Sequence, residues 1–300
     1  MKEQSMADKV SCVVVTYNRL ALLKRCLNAI FAQSKPVTDI FIVNNHSSDQ
    51  TAAYLAQQKG THVHIFNLNE NLGGAGGFVY GMQQAAKVAN DYIWLMDDDT
   101  LVHADTLAQL LRPAKRIPNF GFLSPQVKLK DGTIGNRPLP LYDWQPEAKT
   151  GLTRLKTGSF VAILFNQRIV ERLGLPISDF FIWFDDHEYT MRISQHYPAY
   201  YVPTAQVTHL TVAATPDILT DQKRIPRYFY LFRNKYYTQK EFRGSWGAIK
   251  DILANLVIIG QIIVGKRPKK GQKIMTVIRG TWAGLFFKPQ IKSVNNEEGR

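Results

Sequence analysis

The stretch Tyr92-Ile93-Trp94-Leu95-Met96-Asp97-Asp98-Asp99 decides how this chain is read. An unbroken apolar run of this length suits a strand buried on both faces, which lacks the alternation of a half-exposed one. Three carboxylates follow with no spacer. Neighbouring carboxylates repel unless a cation or hydrogen bonds offset them. Their oxygens suit Mg²⁺ or Mn²⁺, ions that also bridge diphosphates. Aspartates in a solvated loop or at a helix N-cap would look alike locally. Their place at a strand end favours a site.

Upstream, Val10 to Thr16, Ile40 to Val43 and Val63 to Phe66 are further short apolar runs. Helical patterns separate them at Leu20 to Gln33, Thr51 to Lys59, and from the glycine segment Asn69 to Phe78 through Val88. Such alternation predicts an α/β fold with a mostly parallel sheet covered by helices. Ligands of these sheets bind beyond the carboxyl ends of the strands. Those ends, Thr16 to Arg19, Asn44 to Asp49, Asn67 to Asn71 and Asp97 to Asp99, are all polar and suit one crevice. Downstream, Phe120 to about Pro140 is rich in Pro and Gly and is expected to cross the surface. Thr157 to Phe165, Tyr200 to Val202 and Gln206 to Thr208 read as strands, and Asp185 opens a helix to about His196. Beyond Thr211 three helices are expected: Pro226 to Lys240, Trp246 to Val264 and Lys273 to Phe287.

The chain has 300 residues, 45% of them hydrophobic, enough for one large core or one core with an appendage. Its formal charge is +13, concentrated after residue 222, which favours anionic partners. Cys12 and Cys26 fit no disulfide framework or metal spacing, so a reducing, cytoplasmic setting is expected. Met1 to Val10 is polar and does not read as a signal peptide. The longest uncharged apolar run, Ile252 to Val264, has 13 residues. A spanning helix needs about 20, so none is expected.

Three more features carry chemistry. In Asn69-Glu70-Asn71-Leu72-Gly73-Gly74-Ala75-Gly76-Gly77-Phe78, glycines can bring backbone close to a ligand or let a helix pack tightly. The run has neither the Gly-Lys-Ser/Thr ending of a Walker loop nor a dinucleotide fingerprint. In Trp183-Phe184-Asp185-Asp186-His187-Glu188, carboxylates among aromatics suit a general base, and equally an N-cap. His209 follows a strand; a lone histidine is more often structural, yet neutral imidazole can complete a carboxylate site.

Together these segments resemble family 2 glycosyltransferases of the GT-A fold across roughly residues 10 to 240. Val13-Val14-Val15-Thr16-Tyr17-Asn18-Arg19 is similar to the family's opening strand, and Val43-Asn44-Asn45-His46-Ser47-Ser48-Asp49-Gln50-Thr51 to its second strand and loop. Phe181 to Glu188 with Arg192 is similar to its acceptor-side acidic motif. The family often has Asp where this chain has Asn44, although an asparagine can still bond a base edge. The Asn71 to Phe78 run, with Gly81-Met82, resembles bacterial galactofuranosyltransferases, with rhamnosyltransferases as near neighbours.

The resemblance implies an inverting transferase moving galactofuranose from UDP-galactofuranose to a cell-surface glycan, lipid-linked acceptors included; dTDP-rhamnose is the alternative donor. It implies donor contacts at Thr16, Tyr17, Asn18, Arg19, Asn44, Asn45, Asn71, Gly73, Gly74, Asp97 and Asp98, and at Arg227, Arg233 and Asn234. It implies Mn²⁺ or Mg²⁺ on Asp97, Asp99 and His209, Asp186 as catalytic base, and Trp183, Asp185 and Glu188 on the acceptor side. Residues 1–212 would form the catalytic domain and 213–300 a helical extension. A nucleotidyltransferase would carry its glycine loop after the first strand, where Thr16 to Arg19 stand instead. A nucleic-acid-binding module would show a recognisable motif, and none is seen, so no nucleic-acid partner is expected. A homo-oligomer stays open.

The last expectation concerns residues 246 to 290. Ile249, Ile252, Leu253, Leu256, Val257, Ile259, Ile262 and Ile263 form a helical stripe. Lys266, Arg267, Lys269, Lys270 and Lys273 follow, then a second apolar set that includes Trp282. Apolar burial with basic flanks suits peripheral binding to the inner face of a bacterial membrane. Packing on the catalytic domain or a partner is the competing use of the same stripes.

Overall fold

The strand ending in the three aspartates lies at the middle of the sheet. The computed structural model describes residues 8–58, 60–211, 217–266 and 268–294. The expected domain boundary at 212, the end of the second helix at Lys59, and Arg267 of the basic cluster lie outside them.

The first half alternates as expected: β1 (Val10–Thr16), α1 (Leu20–Phe31), β2 (Asp39–Asn44), α2 (Thr51–Leu55), β3 (Val63–Asn67), α3 (Gly73–Ala85) and β4 (Tyr92–Asp97). A short β5 (Thr100–Val102) and α4 (Thr106–Arg116) follow. Then come β6 (Phe122–Leu129), β7 (Leu139–Pro140), β8 (Thr153–Thr157), β9 (Ile163–Asn166), α5 (Gln167–Leu173), α6 (Asp185–Ser194) and β10 (Tyr200–His209). The C-terminal part is α7 (Tyr228–Val264) and α8 (Lys270–Phe286).

The sheet order is β3-β2-β1-β4-β9-β6-β10-β8-β7, with β5 on β10. β3, β2, β1 and β4 are parallel, while β9 runs antiparallel between β4 and β6. Alternate residues of β1 and β4 feed two cores, as expected of strands buried on both faces. Cys12, Val14, Trp94 and Met96 join α1 and α4 on one side. Val13, Val15, Ile93 and Leu95 join α3, α5 and α6 on the other. Leu23, Cys26, Leu27 and Ile30 supply the α1 stripe at helical spacing.

Three expectations are corrected. Phe120 to Pro140 does not simply cross the surface: Phe122 to Ser124 are buried in β6, between β9 and β10. Pro125 fits there because its missing N–H falls at the irregularity where β10 shifts register between Val202 and Gln206. Thr157 to Phe165 is two strands, not one; Gly158 and the positive φ of Ala162 (55°) fall in the break.

The third correction concerns membrane-scale length. The helical segment Ile225–Val264 has 40 residues and an 18-residue window of mean hydropathy 1.7, long and apolar enough to cross a membrane by length and composition. The 13-residue run stops at Asp251, whereas an 18-residue stretch ending at Val264 tolerates the charges of Lys250 and Asp251. The helix breaks at Gly244 (φ 63°, ψ −158°), and its second half packs on α8. Asp251 is buried there, 2.8 Å from Lys235, and Asn255 Nδ2 donates to Thr281 Oγ1 at 2.9 Å. The opposite face is exposed, with Trp246, Leu253, Leu256, Val257, Trp282 and Phe286 outward. After α8 the chain returns to the sheet-bearing part of the fold, where Leu175 N–H bonds the Lys292 carbonyl at 2.9 Å.

Candidate active site

β1, β2, β4 and β10 point the same way, so their carboxyl ends bring Thr16, Asn44, Asp97 and His209 to one edge of the sheet. Two adjoining cavities form a cleft there. One, of about 450 Å³, is lined by Thr16, Tyr17, Asn18, Arg19, Asn45, Asn71, Gly73, Gly74, Asp97, Asp98 and Arg227, with Phe181 and Ile182. The other, of about 340 Å³, shares Arg19, Gly74, Asp97, Ile182 and Arg227, and adds Asp99, Ser159, Trp183, Asp185, Asp186, His209 and Arg224. A roomier cavity of about 660 Å³, between α4 and β10, holds none of these carboxylates.

Each aspartate of the triplet has its own environment. Thr16 Oγ1 donates to Asp98 Oδ2 at 2.6 Å. Arg19 Nη1 reaches Asp99 Oδ2 at 2.9 Å and Asp98 Oδ1 at 3.4 Å. His209 Nε2 lies 2.9 Å from Asp99 Oδ1, and its Nδ1 lies 2.9 Å from Asn136 Oδ1. Burial lifts the Asp98 pKa to about 6 against the Thr16 bond and Arg19. Burial also raises Asp99, but His209 and Arg19 outweigh it and leave the group below the usual carboxylate range. Asp97 is pushed well up by burial, then by repulsion from Asp99 and Asp98.

Among the described residues no group of three His, Cys, Asp or Glu closes to metal-binding geometry. The chemistry nonetheless fits a divalent cation. Asp97, Asp99 and His209 line one cavity. Their two carboxylates and an imidazole form a hard, oxygen-rich set with room for substrate oxygens. The Asp97 carboxylate carries repulsion that a cation would relieve. Arg19 supplies the nearest positive charge to the triplet.

The glycine segment shapes the cleft wall. Asn45 Nδ2 donates to the Gly73 carbonyl at 2.8 Å, and Asn45 Oδ1 accepts from Leu72 N–H at 2.9 Å. Gly73 has φ +72°, and a Cβ there would lie 2.0 Å from the Phe181 carbonyl oxygen. That oxygen instead accepts from Ala75 N–H at 3.1 Å. The glycines thus let the start of α3 meet the loop before α6, a backbone approach that any side chain would block.

That loop carries the acidic pair in a constrained form. Phe181, Trp183 and Phe184 have φ of 63°, 65° and 70°, in the left-handed region. The buried Asn234 amide holds them, donating to the carbonyls of Phe180 (2.9 Å), Ile182 (3.1 Å) and Trp183 (2.9 Å). Burial, then the neighbouring Asp186 charge, lifts Asp185 to about 7. Asp186 is raised by burial, with His187 pulling the other way. Raised carboxylate pKa values suit proton acceptors working near neutrality.

Some expected residues sit elsewhere. Glu188 is buried in an ion pair with Arg192 at 2.8 Å, and Arg192 also donates to the Leu173 and Leu175 carbonyls. Asn44 lies behind the cleft, its amide on Asn67 Oδ1 at 2.7 Å. Arg233 packs 4.0 Å from the Phe287 ring centroid, and Asn234 acts through the loop it braces. Sequence reasoning missed Arg224, Ser159 and Asn136 as cleft residues. Arg224 stood within the basic cluster after 222; Ser159 and Asn136 carried no local signal.

Comparison with known proteins agrees with this geometry. Residues 11–174 match the family described as Glycosyl transferase family 2. The chain is 27% identical over 198 residues to the galactofuranosyltransferase GlfT1 of Mycolicibacterium smegmatis, covering 62% of this chain and 65% of that one. Its fold is that of S. aureus TarS 1–349 solved in complex with UDP (TM-score 0.61, 13% identity, 92% of this chain and 80% of that one). It is also that of GalNAc-T7 solved with UDP, GalNAc and Mn²⁺ (TM-score 0.58, 16% identity, 83% and 54%). With the aspartates at the strand end, the glycine-walled cleft and a family match over more than half its length, the chain belongs to glycosyl transferase family 2.

Proposed function

We propose that the chain is a metal-dependent, inverting glycosyltransferase that moves galactofuranose from UDP-galactofuranose to a hydroxyl of a growing bacterial cell-surface glycan. The observation that carries the reading is Asp186 facing Asp97 and Asp99 within one cleft. The similarity to a galactofuranosyltransferase supports the sugar.

The donor lies against Thr16 to Arg19, Asn45, Asn71, Gly73 and Gly74, with Asp98 toward its sugar. Arg227 and Arg224 face the diphosphate, where planar guanidinium forks match its oxygens. Asp97, Asp99 and His209 would hold Mn²⁺ or Mg²⁺, which supplies positive charge against the leaving diphosphate when bound. Asp186 takes the proton of the acceptor hydroxyl as its oxygen attacks the anomeric carbon. The bond to the diphosphate breaks in the same displacement, so configuration inverts. A positioned base contributes about 10²–10⁴-fold. A single preorganised charge contact is worth about 10²–10³-fold.

On this reading residues 1–212 are the catalytic unit. The extension 213–300 supplies the donor-side arginines, then rests its exposed apolar face on the inner membrane surface, beside acceptors that include lipid-linked glycans. Trp246 and Trp282 are 63% and 64% exposed, and tryptophan favours such interfaces.

The test is a thermal-shift panel of nucleotide sugars with and without Mn²⁺, followed by product analysis. UDP-galactofuranose with Mn²⁺ should stabilise the protein most and yield an inverted furanoside. Equal activity in EDTA removes the metal from the proposal. A preference for dTDP-rhamnose replaces the sugar.

A further inference from the structure

Beside Asp186 the cleft opens into a third cavity of about 430 Å³, between β8, the start of α6 and α7. Trp183, Phe184, Met191 and Leu231 give it an apolar lining. Lys156 and Arg243 also line it, and Asp186 is its only lining carboxylate. Among the described residues neither cation has an ion-pair partner within 4.0 Å, unlike Arg19, Arg154, Arg192, Arg224 and Lys235. They are not placed chiefly to hold Asp186, whose strongest charge neighbour is His187. Their field still reaches into the cavity. His187 is kept below its usual pKa by burial, and Arg243 and Lys156 add to this against the pull of Asp186. Unpaired cations beside an apolar wall and a proton acceptor leave a place for a ligand with negative charge near a reactive hydroxyl.

Resting on the glycosyltransferase reading, we propose that the acceptor is an anionic glycan. Its reactive sugar packs over Trp183 and Phe184 with a hydroxyl at Asp186. A phosphate or carboxylate on it or on a neighbouring unit is held by Lys156 and Arg243. These two residues then set acceptor specificity and leave donor binding alone, since neither lines the donor cavities.

The experiment uses the full chain with UDP and Mn²⁺ present, titrated calorimetrically with three probes: a tetragalacturonate, a glycerol-phosphate tetramer and a neutral galactotetraose. At least one anionic probe should bind roughly tenfold or more tighter than the neutral one, the scale of one charge-assisted contact. Which anionic probe wins separates phosphate from carboxylate. Affinity should fall as salt rises, and Lys156→Gln with Arg243→Gln should bring it to the neutral level. Lys156→Arg should retain it. UDP stabilisation should be the same in every variant. Equal binding of all probes, no binding of the anionic ones, or full anionic affinity in the double variant overturns the proposal. If UDP itself fails to stabilise the native chain, the transferase reading falls instead.

Discussion

Gly73→Ala would test the meeting of α3 with the acidic loop. Gly73 sits at φ +72°, where an L-residue costs about 1–2 kcal/mol. The added Cβ would stand 2.0 Å from the Phe181 carbonyl oxygen, and ordinary contact begins at 3.4 Å, so the loop must yield by about 1.4 Å. The Ala75 N–H bond to that oxygen would be lost, a net cost of about 1 kcal/mol. The total, about 2–3 kcal/mol, should lower Tm by roughly 3–5 °C for a chain of 300 residues. The loop leads directly to Asp186, and a misplacement of about 1 Å can cost about 10²-fold in rate. Transfer from UDP-galactofuranose should therefore fall roughly a hundredfold in kcat, measured beside a thermal melt. Gly260→Ala is the control: nothing lies within 4 Å of its added Cβ, and stability should rise by about 0.5–1 kcal/mol. A Gly73→Ala enzyme with kcat within threefold of the parent would refute the reasoning.

Asp186→Asn should lower kcat by about 10²–10⁴-fold while UDP binding stays near normal; loss of UDP binding would place the residue on the donor side instead. A pH–rate profile should show kcat/KM rising with pH through a midpoint above the ordinary carboxylate range and levelling beyond it, because burial raises Asp186 and a base works only when ionised. The raised values of Asp185 and Asp186 mean the folded chain binds more protons than the unfolded one at neutral pH, so these carboxylates favour folding more as pH falls from 7 toward 4, which denaturant melts across that range would check. Co-sedimentation with anionic vesicles should recover the protein, weaken with salt, and drop on Trp246→Ser with Trp282→Ser; equal recovery in the supernatant with and without vesicles would remove the membrane from the proposal.

The parallel half of the fold was legible because its signals are local. Val10 to Thr16 and Tyr92 to Met96 are apolar without alternation, and both lie inside the sheet. The triplet was legible as a site because it follows such a strand. What could not be read depends on distant partners. β6 carries Pro125 and lies among turn residues, yet β9 and β10 bury it from either side. α4 has its stripe of Leu107, Leu110, Leu111 and Ala114, but Pro113 disrupts the sequence pattern. Glu188 is the exception: it shared its motif with Asp186, and its i,i+4 spacing to Arg192 on α6 was a local sign that it pairs there. Asn136 reaches His209 from 73 residues away, a contact no local spacing encodes.

The left-handed backbone at Phe181, Trp183 and Phe184 has a consequence for how this enzyme could be altered. Each such residue holds about 1–3 kcal/mol of conformational energy that the surrounding fold must withstand. Glycine at any of the three would release it, but would also remove the ring contacts of Phe181 with Tyr230, Trp183 with Tyr228 and Phe184 with His187. The same release would free the approach of the acidic pair, since glycine widens the range of backbone angles the loop can visit. The aromatic side chains therefore hold the loop in a strained course that fixes the acidic pair, and both stability and turnover would suffer from their loss.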